Sequence, residues 1–132
     1  MQIPQIKMPF EIEGTVVSGK GLGRKLGFPT INLDVGASAL PPDGVYAAHV
    51  LLEEKALPAA AFVSSGHKDS QNKSIVEAHI LDFRGDLYGR KARLRCESFL
   101  RPPKDFKSHE ELRRAIAADV VRVREILVKQ PQ

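Results

Sequence analysis

Three groups of residues have types and spacings suited to chemistry on phosphates. The first is the stretch GKGLGRKLGFPTINL at positions 19–33. Gly19, Gly21 and Gly23 let a backbone come close to a ligand and turn N–H groups toward it, and Lys20, Arg24 and Lys25 add positive charge. A flexible hairpin with solvated charges would read the same way. The second is Thr30-Ile31-Asn32. In a strand, residues two apart share a face, so a hydroxyl and a side-chain carbonyl would lie side by side. Both are hard oxygen donors, of the kind Mg²⁺ accepts together with water and the phosphates of a nucleotide. The same pair can also tie down a turn, and spacing alone leaves both readings open. The third is Glu77, within SIVEAHILDF at 74–83. Ile75, Leu81 and Phe83 would share its face, and Val76, Ala78 and Ile80 the other. A carboxylate in so apolar a strand is paired, lies at a strand end near water, or is kept for chemistry. Partial burial raises a carboxylate's pKa and improves it as a general base. His79, on the same face, reads as a structural hydrogen-bonder.

Several other chemistries are excluded. A P-loop needs two glycines four residues apart followed by Lys and Ser or Thr, whereas Gly27 is followed by Phe28-Pro29. The dinucleotide fingerprint needs its glycines to open a helix. Pro29 and the β-leaning Ile31 and Leu33 oppose that, so the glycine stretch is expected as a flap between two strands. His49, His67, His79, His109 and Cys96 have no metal-ligand spacing. No Ser or Cys stands in a nucleophile context.

The elements that must carry these groups are short. Glycine, proline and asparagine punctuate the chain to about residue 105. Strands are expected at 12–18, 44–51, 60–64, 75–83 and 91–100, a pattern that suggests a closed barrel or sandwich rather than βαβ units. Arg84-Gly85-Asp86 has the composition of a hairpin turn. The character then changes. Ser108-His109-Glu110-Glu111 is a capping box, with Ser108 at the N-cap. Leu112, Ile116, Val120, Val123 and Leu127 follow at helical spacing. Arg113, Arg114, Arg122 and Arg124 lie largely off that stripe, as a solvated face or, alternatively, a nucleic-acid face.

The bulk properties bound the rest. A chain of 132 residues suits one domain that can bury its own core. With 42% hydrophobic and 27% charged residues it is ordinary for a folded soluble protein. A single cysteine, Cys96, rules out an intrachain disulfide and fits a reducing, cytoplasmic setting. Positions 1–10 hold no continuous apolar segment of the signal-peptide kind, and no apolar run nears the ~20 residues of a membrane helix. The charge of +4 favours anionic partners without naming one. Aromatic content of 6% with no Trp leaves few platforms for stacking nucleic-acid bases, so no nucleic-acid partner and no membrane are expected.

Taken together, the motifs resemble the riboflavin kinase family, both its stand-alone enzymes and the kinase half of bacterial bifunctional FAD synthetases. The resemblance rests on Gly14-Thr15-Val16-Val17, the 19–26 stretch, Gly27-Phe28-Pro29-Thr30-Ile31-Asn32-Leu33 and Gly44-Val45-Tyr46. It continues through Glu77-Ala78-His79-Ile80-Leu81-Asp82-Phe83, Asp86-Leu87-Tyr88-Gly89 and Leu100-Arg101-Pro102 with Phe106, Ser108 and Leu112. Order and spacing agree over about residues 10–124. The specific part is the pairing of Gly-Phe-Pro-Thr-x-Asn with Glu-x-His-Ile-Leu-Asp-Phe, far apart in the chain.

The resemblance implies a mainly β fold: a six-stranded antiparallel Greek-key barrel with a C-terminal amphipathic α-helix, covering 10–128 after an N-terminal extension at 1–9. It implies transfer of the γ-phosphoryl of ATP to the 5′-hydroxyl of riboflavin, giving FMN. Glu77 would be the base, and Thr30 and Asn32 would hold Mg²⁺ with the nucleotide. Gly19, Gly21, Gly23, Arg24, Lys25 and Thr30 would line the phosphates. Arg101, Phe106 and Leu112 would shape the flavin side. Riboflavin, FMN, ATP and ADP would be the partners of a monomer in the cytoplasm, with no FAD synthesis expected from this chain. The sequence departs from the family at Val63-Ser64-Ser65-Gly66-His67-Lys68-Asp69-Ser70, where an Asn, a Pro and a Thr are missing. That departure leaves a flavin-binding protein with impaired catalysis as the alternative.

Overall fold

The strands form where apolar residues recur every second position or, at 44–51 and 56–64, run almost without a break, and the chain turns where glycine, proline and polar residues interrupt them. In the computed structural model, which describes residues 7–18, 22–65 and 74–128, these segments are β1 (Phe10–Val17), β2 (Ile31–Asp34), β3 (Gly44–Leu51), β4 (Ala56–Ser64), β5 (Ile75–Ile80) and β6 (Lys91–Arg101). A one-turn helix, α1 (Leu22–Lys25), lies between β1 and β2, and α2 (His109–Leu127) follows β6. All pairings are antiparallel. The strands close into a barrel in the order β1-β2-β5-β4-β3-β6. The meander β3–β4–β5 with β6 returning beside β3 is a Greek key, and closure leaves no sheet edge.

Several boundaries differ from the sequence reading. β4 starts at Ala56 and runs through Pro58, opposite His49 of β3. The ladder with β5 begins one residue later, at Ala59, so Pro58 withholds no N–H from it. β5 stops at Ile80 because Asp82 takes a left-handed φ of 54°. Leu81 and Phe83 therefore do not continue the Glu77 face. Leu81 packs toward α2, and Phe83 against the barrel core. Arg84-Gly85-Asp86 is not a hairpin turn, since β5 and β6 do not pair. It lies in the crossover between them.

Inside the barrel, Ile12, Val16, Leu33, Tyr46, Ala48, Val50, Val63, Val76, Leu94 and Cys96 are buried together. Tyr46 donates to the Pro42 carbonyl at 2.6 Å, and burial pushes its phenol up to about 12. Burial likewise pushes the Cys96 thiol up to about 12, which leaves it an inert core residue. Gly44 opens β3 at φ 154°, and a Cβ there would meet the Arg101 carbonyl oxygen at 2.6 Å. Glycine thus permits the close approach of β3 to the end of β6.

A second apolar layer joins the barrel to α2. Val45, Ala47 and Ala60 on the outside of the sheet pack with Leu81, Leu100 and Val123, flanked by Phe62, Val120, Ile126 and Leu127. Small alanines on β3 and β4 let the helix come close. Ser108 caps α2 as expected, accepting from the Glu111 N–H at 3.1 Å. Glu111 reaches back to the Lys107 N–H, one residue ahead of the cap. The helix arginines lie on an exposed face, as expected, and each also has a partner: Arg113 and Arg114 pair with Glu110, Arg122 with the Leu100 carbonyl, Arg124 with Asp82.

Candidate active site

The two motifs that stood 45 positions apart in sequence (Asn32 and Glu77) are direct cross-strand partners on β2 and β5. On β5, Val76, Ala78 and Ile80 point into the barrel, and Ile75, Glu77 and His79 point out, half-buried. Thr30 stands just ahead of β2, two residues before Asn32. The amide and the carboxylate are therefore held by one antiparallel ladder, with the hydroxyl on the residue just before it. Such a ladder fixes Cα positions far more tightly than a loop does.

His79 joins the two motifs a second time. Its Nδ1 lies 2.7 Å from the Pro29 carbonyl oxygen. A carbonyl only accepts, so Nδ1 carries the proton and donates. The Phe28 ring meets the imidazole edge-on, with centroids 5.3 Å apart. The expectation of a structural hydrogen-bonding role for His79 matches this geometry. The bond holds the Phe28-Pro29 turn, and with it Thr30, against the Glu77 strand.

Two clefts open on this floor. The first, about 1250 Å³, runs from Thr30, Asn32 and Glu77 across Phe62 to α2. Phe106, Leu112 and Ile116 give it an apolar wall, and Arg101, Lys104 and Lys107 its cations. The second, about 770 Å³, lies on the other side of Thr30 and Asn32, and carries Arg24, Lys25 and Arg84 with Phe83, Asp86 and Tyr88. Val17, Ser18, Thr30 and Asn32 line both. Tyr88 is 65% exposed, unusual for a large aromatic, and its N–H is fixed by Asp86 Oδ1 at 2.8 Å. Asp86 and Tyr88 carried part of the family resemblance without a role, and the signal missed was an aromatic beside basic residues. Among the described residues no three or more His, Cys, Asp and Glu side chains could share a metal.

Of the sequence-expected site residues, Glu77, Thr30, Asn32, Arg101, Phe106 and Leu112 all line the first cleft. Arg24 and Lys25 line the second, on α1, where Gly23 also lies. The flap reading named no helix there; α1 is a single turn that presents these two cations. Gly19 and Gly21 fall outside the described residues, as does the 66–70 part of the divergent stretch.

One candidate residue was missed altogether. Asp119 is only 5% exposed, yet it lies on the apolar stripe of α2 and at the first cleft. Its two oxygens take the Arg101 guanidinium as a fork, at 3.0 and 2.9 Å. The available signal was an acidic residue at the buried spacing, three after Ile116. No helix among the described residues is long and apolar enough to cross a membrane.

Residues 6–127 match the family model described as "Flavokinase: Riboflavin kinase". The chain is 40% identical over 118 residues to a bifunctional riboflavin kinase/FMN adenylyltransferase of Escherichia coli (strain K12), a match covering 89% of this chain and 38% of that protein. Against the protein of the same description from Pseudomonas fluorescens the identity is 37% over 117 residues, again with 38% of that protein covered. The chain thus spans little more than a third of the length of these relatives. Among solved structures, riboflavin kinase from Trypanosoma brucei is similar at a TM-score of 0.65 and 26% identity, covering 92% of this chain and 81% of that one. A chain from Streptococcus pneumoniae described as a macrolide-efflux protein shares the fold at a TM-score of 0.79 and 30% identity, covering 88% of this chain and 38% of that one. With a family match over nearly its whole length, on a barrel whose two motifs meet across one ladder, the chain belongs to the riboflavin kinase family.

Proposed function

We propose that this barrel transfers the γ-phosphoryl of ATP to the 5′-hydroxyl of riboflavin, with Glu77 as the base. The observation that carries the reading is the Asn32–Glu77 cross-strand pair, set where two clefts share one floor. Phosphoryl transfer asks for positioning, positive charge on the phosphates and an oriented nucleophile, with little covalent chemistry from the protein. The second cleft supplies Arg24, Lys25 and Arg84 for a polyphosphate, and its exposed Tyr88 offers a face to a base. The first supplies the apolar wall of Phe106, Leu112 and Ile116 that a tricyclic flavin needs. A hydroxyl on a chain reaching from the first cleft to the shared floor arrives at the Glu77 carboxylate, which takes its proton as the new O–P bond forms and the bond from the γ-phosphorus to the departing ADP breaks.

The donor set fits Mg²⁺. Thr30 and Asn32 are two neutral oxygen ligands without a carboxylate cage, the arrangement of an ion completed by water and nucleotide phosphates. Bound there, it would neutralise charge developing on the phosphates. The chain's own part is to hold those two oxygens opposite Glu77 through the β2–β5 ladder and the His79–Pro29 bond. No adenylyl transfer is proposed for the barrel.

The test is incubation of the purified protein with riboflavin, ATP and Mg²⁺, followed by chromatographic separation of FMN. FMN that requires both ATP and the metal is the expected result. Riboflavin binding without FMN, under every nucleoside triphosphate tried, overturns the proposal in favour of a binding protein of the same fold.

A further inference from the structure

Between β6 and α2 the chain crosses the mouth of the first cleft as a strap, residues 102–107, which belongs to no helix or strand. Lys104, Asp105, Phe106 and Lys107 of the strap all line the cleft. A segment without ladder bonds is held only by what its ends and side chains grip. At its far end the grip is the Ser108 cap. At its near end it is Arg101, whose Nη1 also approaches the Pro102 carbonyl at 3.4 Å.

Arg101 is placed by Asp119. The carboxylate is buried inside the apolar face of α2, and both its oxygens are taken by Nε and Nη2. This fork–fork geometry fixes the guanidinium plane as well as its position. The Arg101 side chain is 24% exposed and that of Asp119 7%, so solvent screens the pair weakly. The guanidinium carbon then stands 5.7 Å from the centre of the Phe106 ring, and the Lys104 amine stands 5.7 Å from the same centre. Two cations at cation–π distance hold that ring in the strap. A buried ion pair is a poor device for stability alone, because an apolar pair of like volume does as well or better. Its place at the first cleft points to a role in that cleft.

We infer that Asp119 is a positioning residue for the flavin. It orients Arg101, and through it the Phe106 ring and the strap, against the apolar wall of α2. This rests on the reading of the first cleft as the flavin site. The carboxylate is taken up by Arg101 at the α2 end of the first cleft, away from the Thr30–Asn32 floor, so its effect falls on flavin binding and not on phosphoryl transfer.

The test compares wild type, Asp119→Asn and the paired change Arg101→Leu with Asp119→Leu. Each is measured for thermal midpoint, riboflavin Kd by fluorescence quenching, KM for riboflavin and ATP, and kcat. Asn keeps the shape of the buried side chain but leaves the Arg101 guanidinium without its counter-charge, whereas the Leu pair removes both charges and restores packing. The expected result is a riboflavin Kd and KM raised about tenfold in Asp119→Asn, with kcat and the KM for ATP within about twofold. The Leu pair should melt at or above wild type and still bind riboflavin poorly. A riboflavin KM in Asp119→Asn within twofold of wild type overturns the inference. So does a Leu pair that recovers wild-type riboflavin affinity along with stability, since Asp119 would then serve packing alone. Wild type that neither binds riboflavin nor makes FMN removes the reading of the site itself, and that arm is read first.

Discussion

The two clefts share a floor and differ in their walls. The first is walled by packed structure: the outside of the sheet, α2, and a strap anchored through a buried fork. The second is walled by short, exposed segments, a one-turn helix and the β5–β6 crossover, and its cations stand on these. A planar apolar ligand gains from area and from groups already in place. A polyphosphate gains from charge, which acts through water and needs less exact placement. The contrast teaches that one fold can combine both modes if the floor between them is rigid. Here the β2–β5 ladder supplies that rigidity.

The sharpest way to break the comparison is at the floor. Glu77→Gln should lower kcat by about 10²–10⁴-fold, the range of general-base losses, while riboflavin Kd moves by less than about threefold. Steady-state FMN formation alongside fluorescence quenching checks it. A kcat near wild type would remove Glu77 as the base. Next comes the second cleft alone. Replacing Arg24 and Lys25 together by Ala should raise the KM for ATP about tenfold and leave the riboflavin Kd unchanged. Because both side chains are exposed, the gap from wild type should narrow as salt is raised. A matching loss of riboflavin affinity would show that the clefts do not divide the substrates.

The seam between the motifs is a finer probe. An Asn side chain can place its N–H where Nδ1 of His79 stands, whereas Phe cannot donate at all. His79→Asn should therefore keep kcat/KM for ATP within about threefold, and His79→Phe should lose about tenfold, the cost of one hydrogen bond. Equal losses in both would mean that the ring, not the bond to Pro29, is what matters.

The smallest effect lies outside both clefts. The Arg124 guanidinium, hydrogen-bonded to Asp82 at 2.7 Å through each oxygen, holds that carboxyl below its ordinary 3.8. A carboxyl whose pKa is depressed on folding contributes stability above its unfolded value and loses it as pH falls through the folded one. Asp82→Asn suits the left-handed backbone and removes the charge. Its thermal midpoint should fall short of wild type at pH 6, and the two should converge in acid as the wild-type carboxyl protonates below its ordinary 3.8. The gap should be small, because Asp82 is 70% exposed. Kinetics at neutral pH should not change. A gap that persists at pH 2 would assign the effect to backbone geometry instead.

The strands were legible where alternation was clean, as in β5 and β6, or where a short apolar run stood between turn residues, as in β3, and their ends were not. Nothing local to 56–59 announces that Pro58 can sit in a strand. What allows it is that its neighbour on one side, β5, has already ended. The same holds for Arg84-Gly85-Asp86, whose composition is that of any tight turn. Whether such a turn joins paired strands depends on partners far away in the chain. Asp119 was hidden for a related reason. A carboxylate on an apolar stripe reads as a misfit until its partner, 18 residues earlier, is seen across from it.

Composition, periodicity and motif spacing by themselves determined a small β-rich chain of barrel or sandwich type, a capped C-terminal helix and the identities of Glu77, Thr30 and Asn32 as residues worth asking about. These are local properties, set by side-chain chemistry and the periods of strand and helix. Only the tertiary structure decided that Asn32 faces Glu77, that His79 donates to Pro29 and that two clefts meet over one ladder. Barrel closure and register are set by how all six strands pack at once, and no window of sequence contains that sum.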